Sequence, residues 1–320
     1  MKSKLIPAIV FTCLITAAFT LRVQAQDITS NKSIRREVAV TFDDLPATHG
    51  NLEQMKSITT RLLRSITSNK IPSVGFVNES KLHKPGQIDA RITLLRMWLD
   101  AGLELGNHTF SHISIDRHPL AAYQEDVIRG ETITRMLLSE RGMTLRYFRH
   151  PQLRTGPTVE YKEALSTFLA KRGYTVAPVT IDNNDYIFAD VYADAQARGD
   201  KVTMSRVAAA YILYMEKIFD FFEKLSVESL GYEVKQTLLL HANELNADYF
   251  DELVGMMKGR GYAFITLESA LKDKAYSLPD AQDKRGVSWL HRWTVAKGLQ
   301  MRPEPREPEF ITKLYNANRR

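Results

Sequence analysis

Between residues 37 and 271 the chain alternates between short β-type apolar runs and longer segments with helical spacing. The strand-like runs cover residues 37–42, 73–77, 103–106, 145–149, 175–181, 237–240 and 262–267. Helical spacing fills intervals such as 52–66, 88–99, 120–138, 159–169, 207–225 and 247–257. In the second of these Ile88, Ile92, Leu95 and Leu99 fall on one face. Gly102, Gly142, Gly173 and Gly261 each stand just before a strand, where a helix C-terminal cap belongs. Seven strand–helix repeats with short returns indicate parallel strands linked by helices.

An open doubly wound sheet and a closed barrel both fit that alternation. The polar residues decide between them. Thr41-Phe42-Asp43-Asp44 ends the first strand and His108 follows the third, with His112 four residues on. Arg149 ends the fourth, Asp182 ends the fifth with Asp185 close behind, and His241 ends the sixth. Side chains leaving that many C-terminal strand ends meet only if the ends ring one mouth, as in a barrel; an open sheet spreads them along an edge. The expectation is an α/β fold, a distorted (β/α)7 TIM-like barrel.

The ends of the chain read differently. Lys2 and Lys4, a mostly apolar stretch over 5–20, and Val23-Gln24-Ala25 form a secretory signal pattern over 1–25. The apolar stretch is short for a bilayer span, which needs about 20 residues, so no stable membrane insertion is expected after cleavage, and the location is periplasmic or secreted. Cys13, the only cysteine, lies in that segment, so the remainder has no thiol nucleophile and no disulfide. Residues 26–36 read as a linker, 37–272 as the barrel, and 273–320 as an irregular extension packed on it with a disordered end. Lys and Arg number 43 against 37 Asp and Glu. Without Lys2, Lys4 and Arg22 the excess is three, too mild and scattered for a nucleic-acid partner. The sequence leaves the oligomeric state open.

The polar clusters carry metal-ligand chemistry. His108 and His112, four apart on a helical turn or tight loop, can present both imidazoles to one divalent ion. Adjacent side chains on a strand point oppositely, so Asp43 and Asp44 share the site only if the strand has begun to turn, as Pro46 suggests. One carboxylate can then bind metal while the other stays free as a base. Three protein ligands leave an open position for water, the mark of a catalytic site. Arg149 is expected to orient Asp43, with Asp182 holding Arg149 in turn. The His241 side chain is expected at the mouth.

With these residues in view, the chain resembles the polysaccharide deacetylase (NodB homology) family, carbohydrate esterase family four. The five motifs of that family match Thr41-Phe42-Asp43-Asp44, His108-x-x-x-His112, Arg149-x-Pro151, Asp182-x-x-Asp185 and Leu239-x-His241, over residues 38–267. The resemblance implies a hydrolase that removes acetyl groups from an acetylated glycan such as peptidoglycan, chitooligosaccharide or xylan. It implies that Asp44, His108 and His112 bind a divalent metal, zinc first and cobalt or nickel as alternatives. It also implies that Asp43 deprotonates the attacking water and that His241 protonates the leaving group. Two alternatives stand beside it: an amidohydrolase of this fold that cleaves small-molecule amides, and a non-catalytic glycan-binding relative. The chain departs from the family pattern in three places. Gln152-Leu153-Arg154-Thr155 intervenes before Gly156 in the third motif, leaving the source of the oxyanion N–H open. Tyr186 replaces the usual tryptophan of the fourth, and Ala242 follows the last histidine. His49, Asn78 and His150 are further candidates near the mouth, and 186–201 reads as a specificity insertion.

Overall fold

The structure is a computed structural model and describes residues 36–317 and 319; the signal segment expected at 1–25 lies outside the described residues. Among those residues seven parallel strands form: β1 (Arg36–Leu45), β2 (Val74–Val77), β3 (Glu104–Asn107), β4 (Tyr147–Phe148), β5 (Thr175–Val176), β6 (Gln236–His241) and β7 (Tyr262–Phe264). Helices fill the returns: α1 (Leu52–Ser68), α2 (Ile88–Asp100), α3 (Leu120–Arg129), α4 (Thr132–Ser139), α5 (Val159–Lys171), α6 (Asp185–Ala197), α7 (Lys201–Leu230), α8 (Glu244–Gly259) and α9 (Leu267–Leu271). The extension adds α10 (Trp289–Ala296) and α11 (Glu309–Ala317).

The strand order is β5-β4-β3-β2-β1-β6, with β7 pairing the first residues of β1. The segment after β4 curls the sheet round. Thr175 and Ala177 donate to Arg146 and Phe148 on one side. Beyond Pro178, which has no N–H to offer, Thr180 donates to Thr237 of β6, and Leu239 of β6 donates to Ile181. The strand expected at 175–181 is therefore two residues of β5 plus a bridge, with the proline between them. The sheet is a curled, distorted (β/α)7 barrel, as the polar strand ends required.

Alternation along the strands separates two cores. Outward-facing Val38, Val40, Phe42, Leu238 and Leu240 pack beneath the helices, with Phe42 edge-on to Trp98 of α2 at 5.7 Å and to Phe250 of α8 at 5.3 Å. Ala39, Val74, Phe76, Tyr147 and Ala177 form a smaller inner cluster, completed by Leu267 and Ala270 of α9. Two residues further along each strand the same inward face turns polar. Ala39 leads to Thr41 and Asp43, Gly106 to His108, Tyr147 to Arg149, and Leu239 to His241.

Local chemistry sets the helix ends. Asn51 and Gln54 close a reciprocal capping box on α1. Gly231, at φ 83°, ends the 30-residue α7 in the left-handed conformation that glycine adopts freely. The helical run expected at 120–138 breaks into α3 and α4 around Gly130. A Cβ there would lie 2.5 Å from the backbone of Thr109 and Phe110, so only glycine lets this chain end approach the loop carrying His108 and His112. The extension differs from the irregular tail expected. α10 and α11 bury Trp293 and Ile311 against the main core. The segment read as an insertion at 186–201 is mostly helix α6.

Candidate active site

The inward-facing polar residues open into a cavity of about 550 Å³ lined by Asp43, Asp44, His108, His112, Asp182 and His241, among others. The β1–β2 register slips by one residue between Phe42 and Leu45, and Asp44 has φ 70°. That bulge puts two consecutive aspartates on one side of the strand.

Asp44, His108 and His112 each bring a ligand atom within 4.8 Å of the others. Asp44 Oδ1 lies 4.0 Å from His108 Nε2 and 3.8 Å from His112 Nε2. It is buried with no hydrogen-bond partner among the described residues and has only the Lys81 ammonium at 3.5 Å beside it, an arrangement that a divalent ion would complete. The two Nδ1 atoms face away from it. His108 Nδ1–H donates to the Arg149 carbonyl at 2.9 Å, which fixes the tautomer whose Nε2 lone pair is free. His112 Nδ1 meets the Gln152 side-chain amide at 3.3 Å. Burial lowers the affinity of both imidazoles for protons, leaving them neutral, as ligands must be. Burial pushes the Asp44 carboxyl up, but the charges of the Lys81 ammonium and the His241 imidazolium outweigh it and hold it well below the usual range. Two neutral imidazoles facing one oxygen of an ionised carboxylate fit a divalent ion of the zinc type.

The histidine pair sits on a loop, not a helical turn. Thr109 and His112 are left-handed at φ 65° and 55°, and His112 N–H donates to Thr109 Oγ1 at 3.1 Å. Asn78 Nδ2 donates to the His108 carbonyl at 2.6 Å.

Asp43 is buried beside Arg149, whose Nη1 lies 3.4 and 3.5 Å from its two oxygens while Nη2 donates to Thr41 Oγ1 at 3.0 Å. Burial raises the Asp43 carboxyl to about 6, with Arg149 opposing the rise. Across the mouth, His241 Nδ1–H donates to Asp185 Oδ1 at 2.6 Å, leaving Nε2 for the cavity. Asp185 Oδ2 also accepts from His241 N–H at 2.9 Å and from Asn246 Nδ2 at 2.6 Å. Burial alone would lower His241, but the charge and hydrogen bond of Asp185 carry it up to about 9.

The expectation that Asp182 holds Arg149 is not met. Asp182 lines the cavity, and its Oδ1 accepts from the adjacent Asn183 N–H at 2.8 Å. Arg149 is held by Asp43 and Thr41 instead. Burial and Glu304 raise the Asp182 carboxyl well above its ordinary value. The structural carboxylate of this motif is Asp185, the first residue of α6, aimed by Asn183: its Oδ1 accepts from Asp185 N–H while its Nδ2 donates to the Leu239 carbonyl. Of the further candidates, His49, Asn78 and His150 do not line the cavity; Asn78 serves the histidine loop and His150 packs on Phe148.

Two groups gave no sequence signal. Lys81, on the turn after β2, places Nζ 3.0 Å from the Asp44 carbonyl and 3.5 Å from its Oδ1. In the extension, fully buried Arg292 donates to the Leu153 carbonyl at 2.5 Å and to Thr155 Oγ1 at 3.1 Å. There Gly286 lines the cavity so close to Gln152 that a Cβ would fall 2.0 Å from its carbonyl oxygen. Together they clamp the loop that departs from the third motif, where Gln152 and Leu153 both have φ 53°. Of the six non-glycine residues with positive φ among the described residues, five (Asp44, Thr109, His112, Gln152 and Leu153) belong to the site or its loops, which is where such strain concentrates.

Residues 30–177 match the family model for polysaccharide deacetylase. No curated protein sequence matches the chain. Among solved structures it is similar to the peptidoglycan deacetylase PdaC from Bacillus subtilis, with 21% identity over 75% of this chain and 93% of that one, at a TM-score of 0.45. It is similar to a family 4 carbohydrate esterase from Streptomyces lividans in complex with acetate, with 18% identity over 73% and 95% at 0.45. A pseudoenzyme of that esterase family from Bacillus anthracis is 13% identical over 75% of this chain and 66% of that chain, at 0.45.

Proposed function

We propose that this chain, whose residues 30–177 match the polysaccharide deacetylase family model, is an exported, metal-dependent hydrolase that removes acetyl groups from a carbohydrate. The observation that carries this reading is the buried Asp44 Oδ1, without a hydrogen-bond donor among the described residues and faced by two imidazole Nε2 atoms. Asp44, His108 and His112 would hold the ion, zinc by the donor set. When bound, it polarises the acetyl carbonyl and acidifies water.

The remaining roles follow from the two charge pairs. Asp43, with a carboxyl near 6 and Arg149 fixing its direction, takes a proton from the attacking water. His241, an imidazolium at neutral pH because Asp185 stabilises the charge, gives its Nε2 proton to the departing nitrogen or oxygen. Two titratable groups whose surroundings push them apart supply one base and one acid in the same cavity. All five groups are present, which favours catalysis over a binding-only role. The signal pattern at 1–25 supports the exported location.

The test is acetate release from defined acetylated oligosaccharides, from acetylated xylan and from simple amides. Each is assayed with chelator and after restoring zinc, cobalt or nickel. Release from glycans that chelator abolishes and metal restores is the expected outcome. Hydrolysis of simple amides alone, or sugar binding without acetate release, would replace the proposal with one of its rivals.

A further inference from the structure

We propose that Lys81 sets the metal affinity of the Asp44–His108–His112 centre, holding it weaker than the three ligands alone would make it. The inference rests on the metal-centre reading above and concerns a residue that none of the five motifs contains. Lys81 belongs to the short turn at Glu79–Leu82, and its backbone is pinned from two sides. Arg91 Nη1 donates to the Lys81 carbonyl at 2.6 Å, and buried Glu79 caps the N-terminus of α4 by accepting from Ile133 and Thr134 N–H. The side chain is largely covered, 20% exposed, and runs to Asp44 without lining the cavity. It therefore approaches the carboxylate from outside the cavity.

Its ammonium lies 3.5 Å from Asp44 Oδ1, the same oxygen that both ligand imidazoles face. An ion binding there shares that oxygen's charge with a fixed cation and is repelled by it across a poorly screened interior. The surrounding charges add to the effect. Asp43, Asp44 and Asp185 contribute three carboxylates, and Arg149, His241 and Lys81 contribute three cations. These six charges balance one another before a divalent ion enters. Most of that compensation is needed for the acid and base pairs; Lys81 alone is spent on the ligand itself. A cation this close shifts a carboxylate's affinity for a proton by about tenfold or more, and a competing dication feels at least that. Lys81 also donates to the Asp44 carbonyl at 3.0 Å, supporting the left-handed backbone of the bulge. It is a positioning residue as well as a charge.

Lys81→Gln keeps a donor, on a stem one bond shorter, and removes the charge, while Lys81→Arg keeps the charge. Zinc and cobalt dissociation constants are measured for the full chain by competition with a chromophoric chelator, with the visible spectrum of bound cobalt as a check on the ligand set. The expected result is binding about tenfold or more tighter in Lys81→Gln with an unchanged cobalt spectrum, and wild-type affinity in Lys81→Arg. Unchanged or weaker binding in a folded Lys81→Gln overturns the proposal, and Lys81→Met repeats the test should the first variant melt early. Wild-type protein that binds neither ion would instead defeat the metal centre itself, and this proposal with it.

Discussion

Replacing Asp185 with asparagine separates the proton on His241 from the rest of the site. In the native chain His241 is raised from an ordinary value near 6.5 to about 9, which corresponds to about 3 kcal/mol of preference for the imidazolium. Asp185 supplies that preference through the 2.6 Å bond to Nδ1 and through its charge. Burial, the largest influence, pulls the other way, and Asp44 and Asp43 alone would remain against it, so without the Asp185 carboxylate His241 should fall to its ordinary range or below and be mostly neutral at pH 7. A raised folded-state value contributes stability that is complete below about 6.5 and lost as pH rises through about 9. The native protein should therefore lose up to about 3 kcal/mol across that window, and Asp185→Asn should lose the dependence. The variant also turns an amide nitrogen or a weaker oxygen toward the two donors now satisfied by Oδ2, costing about 2 kcal/mol at every pH. The assay is a histidine NMR titration of both proteins, with His241→Gln identifying the resonance, alongside thermal melts at pH 6 and 9. The alkaline limb of kcat/KM should move below 7, and kcat at pH 7 should fall about 100-fold as the acid is lost. A His241 resonance in Asp185→Asn that still titrates near 9 would refute the reasoning.

Asp43→Asn should abolish hydrolysis while leaving metal content intact, since Asp43 is outside the ligand set; near-normal turnover, read by acetate release, would remove it as the base. Gly286→Ala combines a left-handed φ of 76° with a Cβ 2.0 Å from the Gln152 carbonyl oxygen. It should destabilise the protein by about 3 kcal/mol in a denaturant melt, and its kcat should fall with the displaced loop; a wild-type melt would show that the extension yields freely.

Much of the barrel was legible because its strands are apolar runs closed by glycine or polar residues, and because five polar clusters at strand ends demand a shared mouth. The period-two alternation from Ala39 to Asp43 and from Leu239 to His241 carries the inner face directly from core to chemistry. Other features depended on three-dimensional neighbours. Asp182 and Asp185 are three apart on a strand-to-helix turn, and only the Asn183 side chain decides which one faces His241. Lys81 lies in a run with no motif, and its meaning comes from Asp44, 37 positions earlier. The extension looked irregular because prolines and charges dominate it, yet Arg292 and Gly286 reach a loop more than 130 positions back.

The left-handed residues around the cavity impose a lasting tension on the chain. Asp44, Thr109, His112, Gln152 and Leu153 each hold a backbone shape that side chains disfavour, at about 1–2 kcal/mol apiece. Selection for heat resistance alone would find gains by relaxing these positions, and every such gain would blunt the pocket. Variants hardened elsewhere, on the outer helices, are the ones that should keep their chemistry.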